Sequence, residues 1–271
     1  NTLAAWIEMQ MPGARARGVV DSAPLAERDF ARLAGLGWFG KNTMLIDTRA
    51  GSYFFLSGIV TDVTLPVDRP IDVDHCGTCT ACLDACPTGA FPAPRVLDAS
   101  KCISAITIED HGAVPDSLRP GVGDWIFGCD ICQEVCPWNR HAPGTNEPSL
   151  QPRDGQISLA LAELLALDED GFRKRFRGSP LLRAKRRGLL RSAASALGNR
   201  PHAPSFEALV VALADSESVV RSAAAWALGR WIAADVMAAE SRRSLEDRRM
   251  VEADGAVLNE IVKALDSRAS S

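Results

Sequence analysis

No stretch of this sequence stays apolar for anything near the ~18 residues that a membrane-spanning helix needs, so no membrane partner is expected. Composition shows no strong bias either, with 46% hydrophobic residues, 24% charged and a net charge of −4 over 271 residues. Such values exclude fibrous and disordered architectures, and the length gives room for one large domain or two smaller ones. No secretory leader pattern and no twin-arginine pair stand at the start. His75, His111, His141 and His202 share no paired ligand spacing, which leaves them as solvated or structural residues. Cysteine is absent before position 76 and after position 136, yet the chain holds eight of them. That confinement carries most of the chemistry.

The first four cysteines read Cys76-x2-Cys79-x2-Cys82-x3-Cys86-Pro87. The last three read Cys129-x2-Cys132-x3-Cys136-Pro137, with Cys102 between the runs. This is the spacing of two-cluster ferredoxins, in which the fourth cysteine of a run serves the other cluster. Three thiolates on a tight loop hold three irons of one cubane. The fourth has moved onto the next turn, and the proline after it bends the chain out of the site. The rule assigns Cys76, Cys79, Cys82 and Cys136 to one [4Fe-4S] cluster. The other takes Cys86, Cys129 and Cys132 and lacks a ligand, because a standard second run would place it at Ile126. Cys102 is the remaining thiol, so the second set is Cys86, Cys102, Cys129 and Cys132. Disulfide scaffolds do not confine their thiols to one segment of so long a chain. Zinc knuckles come as separated Cys-x2-Cys pairs. Retained thiolates also imply a reducing compartment, and a cytoplasmic location is expected.

The pattern divides the chain into 1–69, 70–140, a linker over 141–156 rich in Pro, Gly, Asn and Gln, and 157–271. Leu3, Ala4, Trp6 and Ile7 read as the end of an amphipathic helix already under way, so further N-terminal sequence is expected. Residues 18–66 read as a small α/β unit. Gly18–Asp21 is a short strand ending in an acid, and Leu25–Gly35 is a helix with Pro24 near its first turn. Met44–Ile46 and Tyr53–Val60 have the β-branched and aromatic bias of strands. Residues 70–140 are loop-rich with short helices. From Ile157 the chain is helical and repeats: Arg191-Ser-Ala-Ala-Ser-Ala-Leu-Gly198 returns thirty residues later as Arg221-Ser-Ala-Ala-Ala-Trp-Ala-Leu-Gly229. Small residues let helices pack closely, and each glycine is expected to close its helix. Pro204–Ala214 and Val219–Trp231 make one pair of a short HEAT-type stack, with an ordinary helical bundle as the alternative. No Asp or Glu lies between Asp170 and Glu207, while Arg173, Lys174, Arg175, Arg177, Arg183, Lys185, Arg186, Arg187 and Arg191 crowd one segment. Arginine-rich density of this kind suits phosphate contacts better than a merely solvated face.

The cysteine framework by itself states a two-cluster iron–sulfur protein. Its flanks say more. Val20-Asp21-Ser-Ala-Pro24-Leu-Ala-Glu27-Arg28 and Ala34-Gly-Leu-Gly-Trp-Phe-Gly-Lys-Asn42 resemble the epoxyqueuosine reductase family. So do Cys76-Gly-Thr-Cys-Thr-Ala-Cys-Leu-Asp-Ala-Cys-Pro-Thr-Gly-Ala90, Lys101-Cys-Ile-Ser104 and Gly128-Cys-Asp-Ile-Cys-Gln-Glu-Val-Cys-Pro-Trp-Asn139. The likeness covers nearly the whole chain, except that the family has a further N-terminal section supplying part of its cobalamin pocket. The resemblance implies an α+β protein. Residues 1–69 would be the C-terminal part of an α/β cobalamin-binding catalytic core. Residues 70–140 would be a ferredoxin-like domain with two [4Fe-4S] clusters, and 157–271 an all-α HEAT-like domain that binds tRNA.

It also implies the reaction: the epoxide of epoxyqueuosine at the tRNA wobble position is reduced to queuosine, the last step of queuosine biosynthesis. Removing an epoxide oxygen as water to leave an alkene takes two electrons and two protons. Clusters pass one electron at a time, cobalamin faces the epoxide, and a positioned acid protonates the leaving oxygen. By resemblance that acid is Asp21, whose carboxyl an apolar setting would keep protonated; helix capping at Pro24 is the alternative. Arg28, Leu45, Leu56 and Ile59 are placed near the cobalamin, with Asp21 itself, and Glu109 and Asp130 border the cluster loops as further cofactor contacts. Lys41 and Asn42 follow a Gly37-x-x-Gly40 turn that is no nucleotide fingerprint. The expected partners are the modified tRNA and an unidentified low-potential electron donor, for a monomeric enzyme. Two rivals stand beside this reading. One is a ferredoxin-type electron-transfer module, which needs neither the Asp21 motif nor the basic helices. The other is a reductive dehalogenase-like cobalamin enzyme, against which the HEAT-like tail and its basic patch argue.

Overall fold

The computed structural model describes residues 2–21, 23–151 and 159–267. Ser22 of the Asp21 motif, residues 152–156 of the expected linker and 157–158 of the expected helical domain lie outside the described residues. Along the chain run α1 (Thr2–Gln10), β1 (Ala16–Val19), α2 (Glu27–Leu33), β2 (Trp38–Phe39), β3 (Leu45–Ile46) and β4 (Gly58–Thr61). Short helices α3 (Ala81–Asp84), α4 (Ile103–Ile108), α5 (Arg119–Val122) and α6 (Ile131–Glu134) follow through the cysteine segment. Then come α7 (Leu161–Leu165), α8 (Glu169–Arg175), α9 (Lys185–Asn199), α10 (Phe206–Ala212), α11 (Ser218–Ala233), α12 (Ala238–Val251) and α13 (Gly255–Leu265). The fold is thus mixed, mostly helical, with small sheets. Among the described residues no helix is long and apolar enough to cross a membrane.

The chain forms two compact units. The first comprises Asn1–Cys86, Phe91–Leu97 and Ile131–Asn146; the second comprises Pro87–Ala90, Asp98–Asp130 and Glu147–Ser271. In the first unit β1 pairs antiparallel with β4, Ala16 opposite Thr61 and Val19 opposite Gly58. β2 pairs antiparallel with β3, Trp38 opposite Ile46 and Phe39 opposite Leu45. A tight turn, with Thr43 N–H donating to Gly40 O at 2.9 Å, joins these two strands. Trp38, Ile46 and Cys136 form the buried centre, with Ile71 and Trp138 packed on it. The expected strand over 18–21 begins and ends two residues earlier, so Asp21 falls beyond it in a turn. The strand expected over 53–60 forms only from Gly58, where β1 offers hydrogen-bond partners. In α1 only Ala4 is buried, and Leu3, Trp6 and Met9 are exposed. Of the apolar face expected there, Ala4 is buried and Ile7 half-buried against β1, while Leu3 and Trp6 stay exposed.

The second unit is helical and holds the main core. α11 packs against both α9 and α13, through Leu189, Leu190, Leu197, Leu228, Trp231, Ile232, Val257 and Ile261, all buried. Trp231 Nε1–H, buried with them, donates to Leu197 O at 2.7 Å, which satisfies the one polar atom of that ring. The repeated glycines do not close their helices as expected. Gly229 lies inside α11, and Gly198 precedes the last residue of α9. Their role is close approach: a Cβ on Gly198 would meet the Trp226 ring and Ala227 Cα, and one on Gly229 would meet Ala264 Cβ at 2.7 Å. Charged pairs join distant parts of this unit. Arg119 forks onto Glu260 with bonds of 2.9 and 3.1 Å, both side chains buried. Arg221 and Arg248 share the Glu252 carboxylate.

Candidate functional site

The first run of cysteines is shaped by backbone bonds before any ligand is considered. Asp74 Oδ1 accepts from the Cys76 N–H at 2.9 Å, and Cys79 N–H donates to Cys76 O at 3.0 Å. Arg95, 2.7 Å from Asp74, holds that carboxyl below its ordinary range, so the turn acceptor stays ionised. Cys82 rides on α3, and Cys136 ends the turn after α6, its N–H donating to Gln133 O at 3.1 Å. Cys76, Cys79, Cys82 and Cys136 line one cavity of about 260 Å³ together with Lys41, Asn42, Ile46, His75 and Trp138. Burial pushes the Cys82 and Cys136 thiols up, and the neighbouring thiols of the same set push them further. Four sulfurs that repel one another when ionised need a cation among them. Among the described residues no three His, Cys, Asp or Glu side chains are close enough to share a single metal ion. A set of soft thiolates spread around a cavity, rather than drawn to a point, fits a cubane and not one tetrahedral zinc.

The hairpin turn between β2 and β3 grips this site. Lys41 Nζ donates to Gly77 O at 2.7 Å and to Cys79 O at 2.9 Å. Asn42, 1% exposed, donates from Nδ2 to Cys132 O at 3.0 Å, and its Oδ1 accepts from Met44 N–H. On the other side, Asn139 accepts from Ser52 N–H at 2.7 Å and donates to Gln133 O at 2.7 Å. Gly51 sits against Asn139 at φ 69°, where any Cβ would strike the amide oxygen. Trp38, His75 and Trp138 meet edge to face, with ring centroids 4.7 to 5.7 Å apart. The sequence reading had no role for Lys41, Asn42 or Asn139. Their signal was their place in the Gly-Lys-Asn and Cys-Pro-Trp-Asn motifs, not their chemistry alone.

Of the second cysteine set, Cys86 and Cys132 belong to the first unit and Cys102 and Cys129 to the second. Cys102 is the residue before α4, and its carbonyl accepts from Ile106 N–H at 2.9 Å. Cys129 packs on Ile103, Ile106, Val114 and Val122, and the preceding Gly128 N–H donates to Thr107 Oγ1 at 3.0 Å. None of the eight cysteines, all of them described, forms a disulfide.

The expected cobalamin contacts separate. Leu56 and Ile59 line an apolar cavity of about 480 Å³ with Val19, Leu25, Phe30 and Leu36. Glu27 also borders it, and its Oε1 is buried with no partner among the described residues. Leu45 is not on that wall; it is 4% exposed in β3. Arg28 turns to the hairpin and donates to Thr43 O at 2.8 Å. Asp21 is exposed at φ 36°, so the apolar setting expected around it is not supplied by the described residues. In the second unit Glu109 pairs with Arg183 at 2.8 Å, and Asp130 is exposed. An apolar wall suits one face of a corrin ring, so the fit to cobalamin is limited to Leu56, Ile59 and their neighbours.

The basic segment is not one uniform surface. Arg191 is 1% exposed and donates to the carbonyls of Ile106, Asp110 and Gly112, which corrects its expected place among phosphate contacts. Its density came from counting charges along the chain, and α9 turns this one into the core. Arg186 is likewise committed, to Asp215 and to Leu167 O. Arg173 pairs with Glu169, Arg175 with Glu163 and Arg183 with Glu109. Lys174, Arg177 and Lys185 are exposed, and Arg187 is half-buried.

The profile of the 4Fe-4S double cluster binding domain matches residues 75–139. The chain is 50% identical over 215 residues to the epoxyqueuosine reductase of Pseudomonas aeruginosa, covering 79% of this chain and 60% of that protein. It is 47% identical over 185 residues to that of Escherichia coli, covering 68% of this chain and 48% of that protein. The chain therefore spans 60% or less of the length of these curated relatives. A crystal structure of epoxyqueuosine reductase with a tRNA-Tyr epoxyqueuosine-modified stem loop superposes with a TM-score of 0.89 at 32% identity. The match covers 98% of this chain and 69% of that one. The Bacillus subtilis enzyme, solved with its catalytic loop swung out of the active site, gives 0.89 at 31% identity over the same shares.

Proposed function

The chain belongs to the epoxyqueuosine reductase family, and from that premise we propose that it carries out the family's reaction as the cluster-bearing and tRNA-docking part of such an enzyme. The observation that carries this reading is the cavity shared by Cys76, Cys79, Cys82 and Cys136, set beside motifs that run from Asp21 to Asn139. In the reaction, the epoxide of epoxyqueuosine at the wobble position takes up two electrons and two protons. Both carbon–oxygen bonds break, a double bond forms between the two carbons, and the oxygen leaves as water. When bound, two [4Fe-4S] clusters would supply electrons singly and cobalamin would supply the strongly reducing centre that faces the epoxide.

The chain's own residues do the rest. Cys76, Cys79, Cys82 and Cys136 hold one cluster; by spacing, Cys86, Cys102, Cys129 and Cys132 hold the other. Leu56 and Ile59 offer the cobalamin an apolar wall. Asp21 gives the proton to the departing oxygen. Its turn geometry and exposure suit a group that moves, as the relative with a displaced catalytic loop does, and it becomes enclosed only with substrate and cofactor in place. The second unit, read as a HEAT-type stack because the two Arg-Ser-Ala-Ala helices, α9 and α11, pack against each other, presents Lys174, Arg177, Lys185 and Arg187 to tRNA phosphates. The relative solved with a tRNA stem loop supports that partner.

The test is anaerobic incubation of the cofactor-loaded protein with epoxyqueuosine-containing tRNA and a strong reductant. Mass analysis of the released nucleosides should show loss of one oxygen. Asp21→Asn should lose turnover by about a hundredfold or more, the usual scale of a positioned acid, while keeping both clusters. Normal turnover in that variant removes Asp21 from the role.

A further inference from the structure

Among the described residues Lys41 is the one lysine or arginine lining the cluster cavity, and nothing in the reaction accounts for it. Its ammonium is held by two carbonyls of the ligand loop, Gly77 O and Cys79 O. Ordering so long a side chain costs rotamer entropy, and a shorter neutral donor could satisfy the same carbonyls. What a neutral donor cannot supply is charge. Nearby Arg95 is neutralised by Asp74, and Arg32 stands 3.7 Å from Asp72. Among the described residues Lys41 has no carboxylate at ion-pair distance, so its field at the cavity is not cancelled. A cubane with four thiolates is an anion in both redox states and gains one more negative charge on reduction. A fixed cation at its edge therefore stabilises the reduced form more than the oxidised one.

Resting on the reading of Cys76, Cys79, Cys82 and Cys136 as cluster ligands, we infer that Lys41 is an electrostatic positioning residue that raises the reduction potential of that cluster. The step is a one-electron reduction of the core from 2+ to 1+, the electron coming from dithionite in the assay below. No bond is made or broken and no proton moves.

The test is a redox titration followed by electron paramagnetic resonance on the reconstituted chain, in wild type, Lys41→Gln and Lys41→Arg. Gln keeps an N–H donor without the charge; Arg keeps the charge with a different shape. Lys41→Gln should move one of the two titration waves to lower potential. The ratio of reduced to oxidised cluster at a fixed potential should fall about tenfold, about 59 mV for a one-electron couple, with the other wave unmoved. Lys41→Arg should titrate like wild type. A Gln variant with full iron content and wild-type potentials overturns the inference. So does an Arg variant that shifts as far as Gln, or a Gln variant that loses half of its iron, which would make Lys41 a loop clamp alone. Iron and sulfide content of the wild-type chain separates these results from a failure of the cluster reading: without two clusters in wild type, it is the ligand assignment that falls.

Discussion

Glu252 shows how much one side chain contributes in this chain. Its carboxylate takes bonds of 2.8 and 2.9 Å from Arg221 and of 2.7 and 2.9 Å from Arg248, and the Asp254 N–H adds another. The Arg221 bond leads in holding its pKa down, from 4.5 to about 2. The folded value lies below the unfolded one, so the stabilisation is complete above about pH 4.5 and is lost as pH falls toward 2. The shift corresponds to stabilisation on the order of 3 kcal/mol. Denaturant unfolding of wild type should show that loss of stability in acid. Glu252→Gln should be less stable at neutral pH and show a weaker acid dependence over the same range; an unchanged dependence would place the acid sensitivity elsewhere. The same logic separates Arg191 from its neighbours. A guanidinium buried against three carbonyls is part of the core, whatever the charge count around it.

At the scale of elements, the small residues of the repeat decide how near α9, α11 and α13 come. Gly229 has room for a hydrogen only, since an added Cβ would lie 2.7 Å from Ala264 Cβ and 2.8 Å from its Cα. Overpacking costs about 1–3 kcal/mol, against about 1 kcal/mol regained from alanine's better helix propensity. Gly229→Ala should therefore be destabilised, its melting temperature falling by roughly 2–4 °C for each kcal/mol of net loss. Ala264→Gly, added to it, should restore part of the loss, because it removes the facing Cβ. If Gly229→Ala melted at or above the wild-type temperature, the helices would be free to move apart and the close approach would not be a constraint. The β2–β3 hairpin is the other element whose details matter. Two strand residues on each side suffice because the turn between them is pinned to the ligand loops by Lys41 and Asn42.

For the whole molecule, the proposed tRNA partner is tested at the exposed cations of the basic segment. The triple change Lys174→Ala, Arg177→Ala, Lys185→Ala should weaken tRNA binding and flatten its dependence on salt. The flattening should be about 0.7–0.9 in log–log slope for each phosphate that the variant no longer neutralises. Arg191→Ala should instead lower thermal stability. Filter binding across a salt series, paired with melting curves, reads both. A triple variant with the wild-type slope would remove this segment from the interface.

Much of this was legible beforehand for physical reasons. Cysteine spacing constrains which thiols can share a cubane, because three on a tight loop can reach one cluster and the fourth cannot. The helical character of the second unit was readable because its apolar and small residues recur at helical spacing. The short strands were harder, since two-residue strands such as Trp38–Phe39 exist only where a partner offers hydrogen bonds. Side-chain commitment was not readable at all. Sequence order says that Arg186 and Arg191 stand among basic neighbours; only the packed chain brings Asp215 and three backbone carbonyls to meet them. By itself the sequence determined the metal chemistry and the family, because ligand type and spacing are local along the chain. The tertiary structure decided which charges are buried and which one lines the cavity of Cys76, Cys79, Cys82 and Cys136, because burial and pairing join residues that are far apart in sequence.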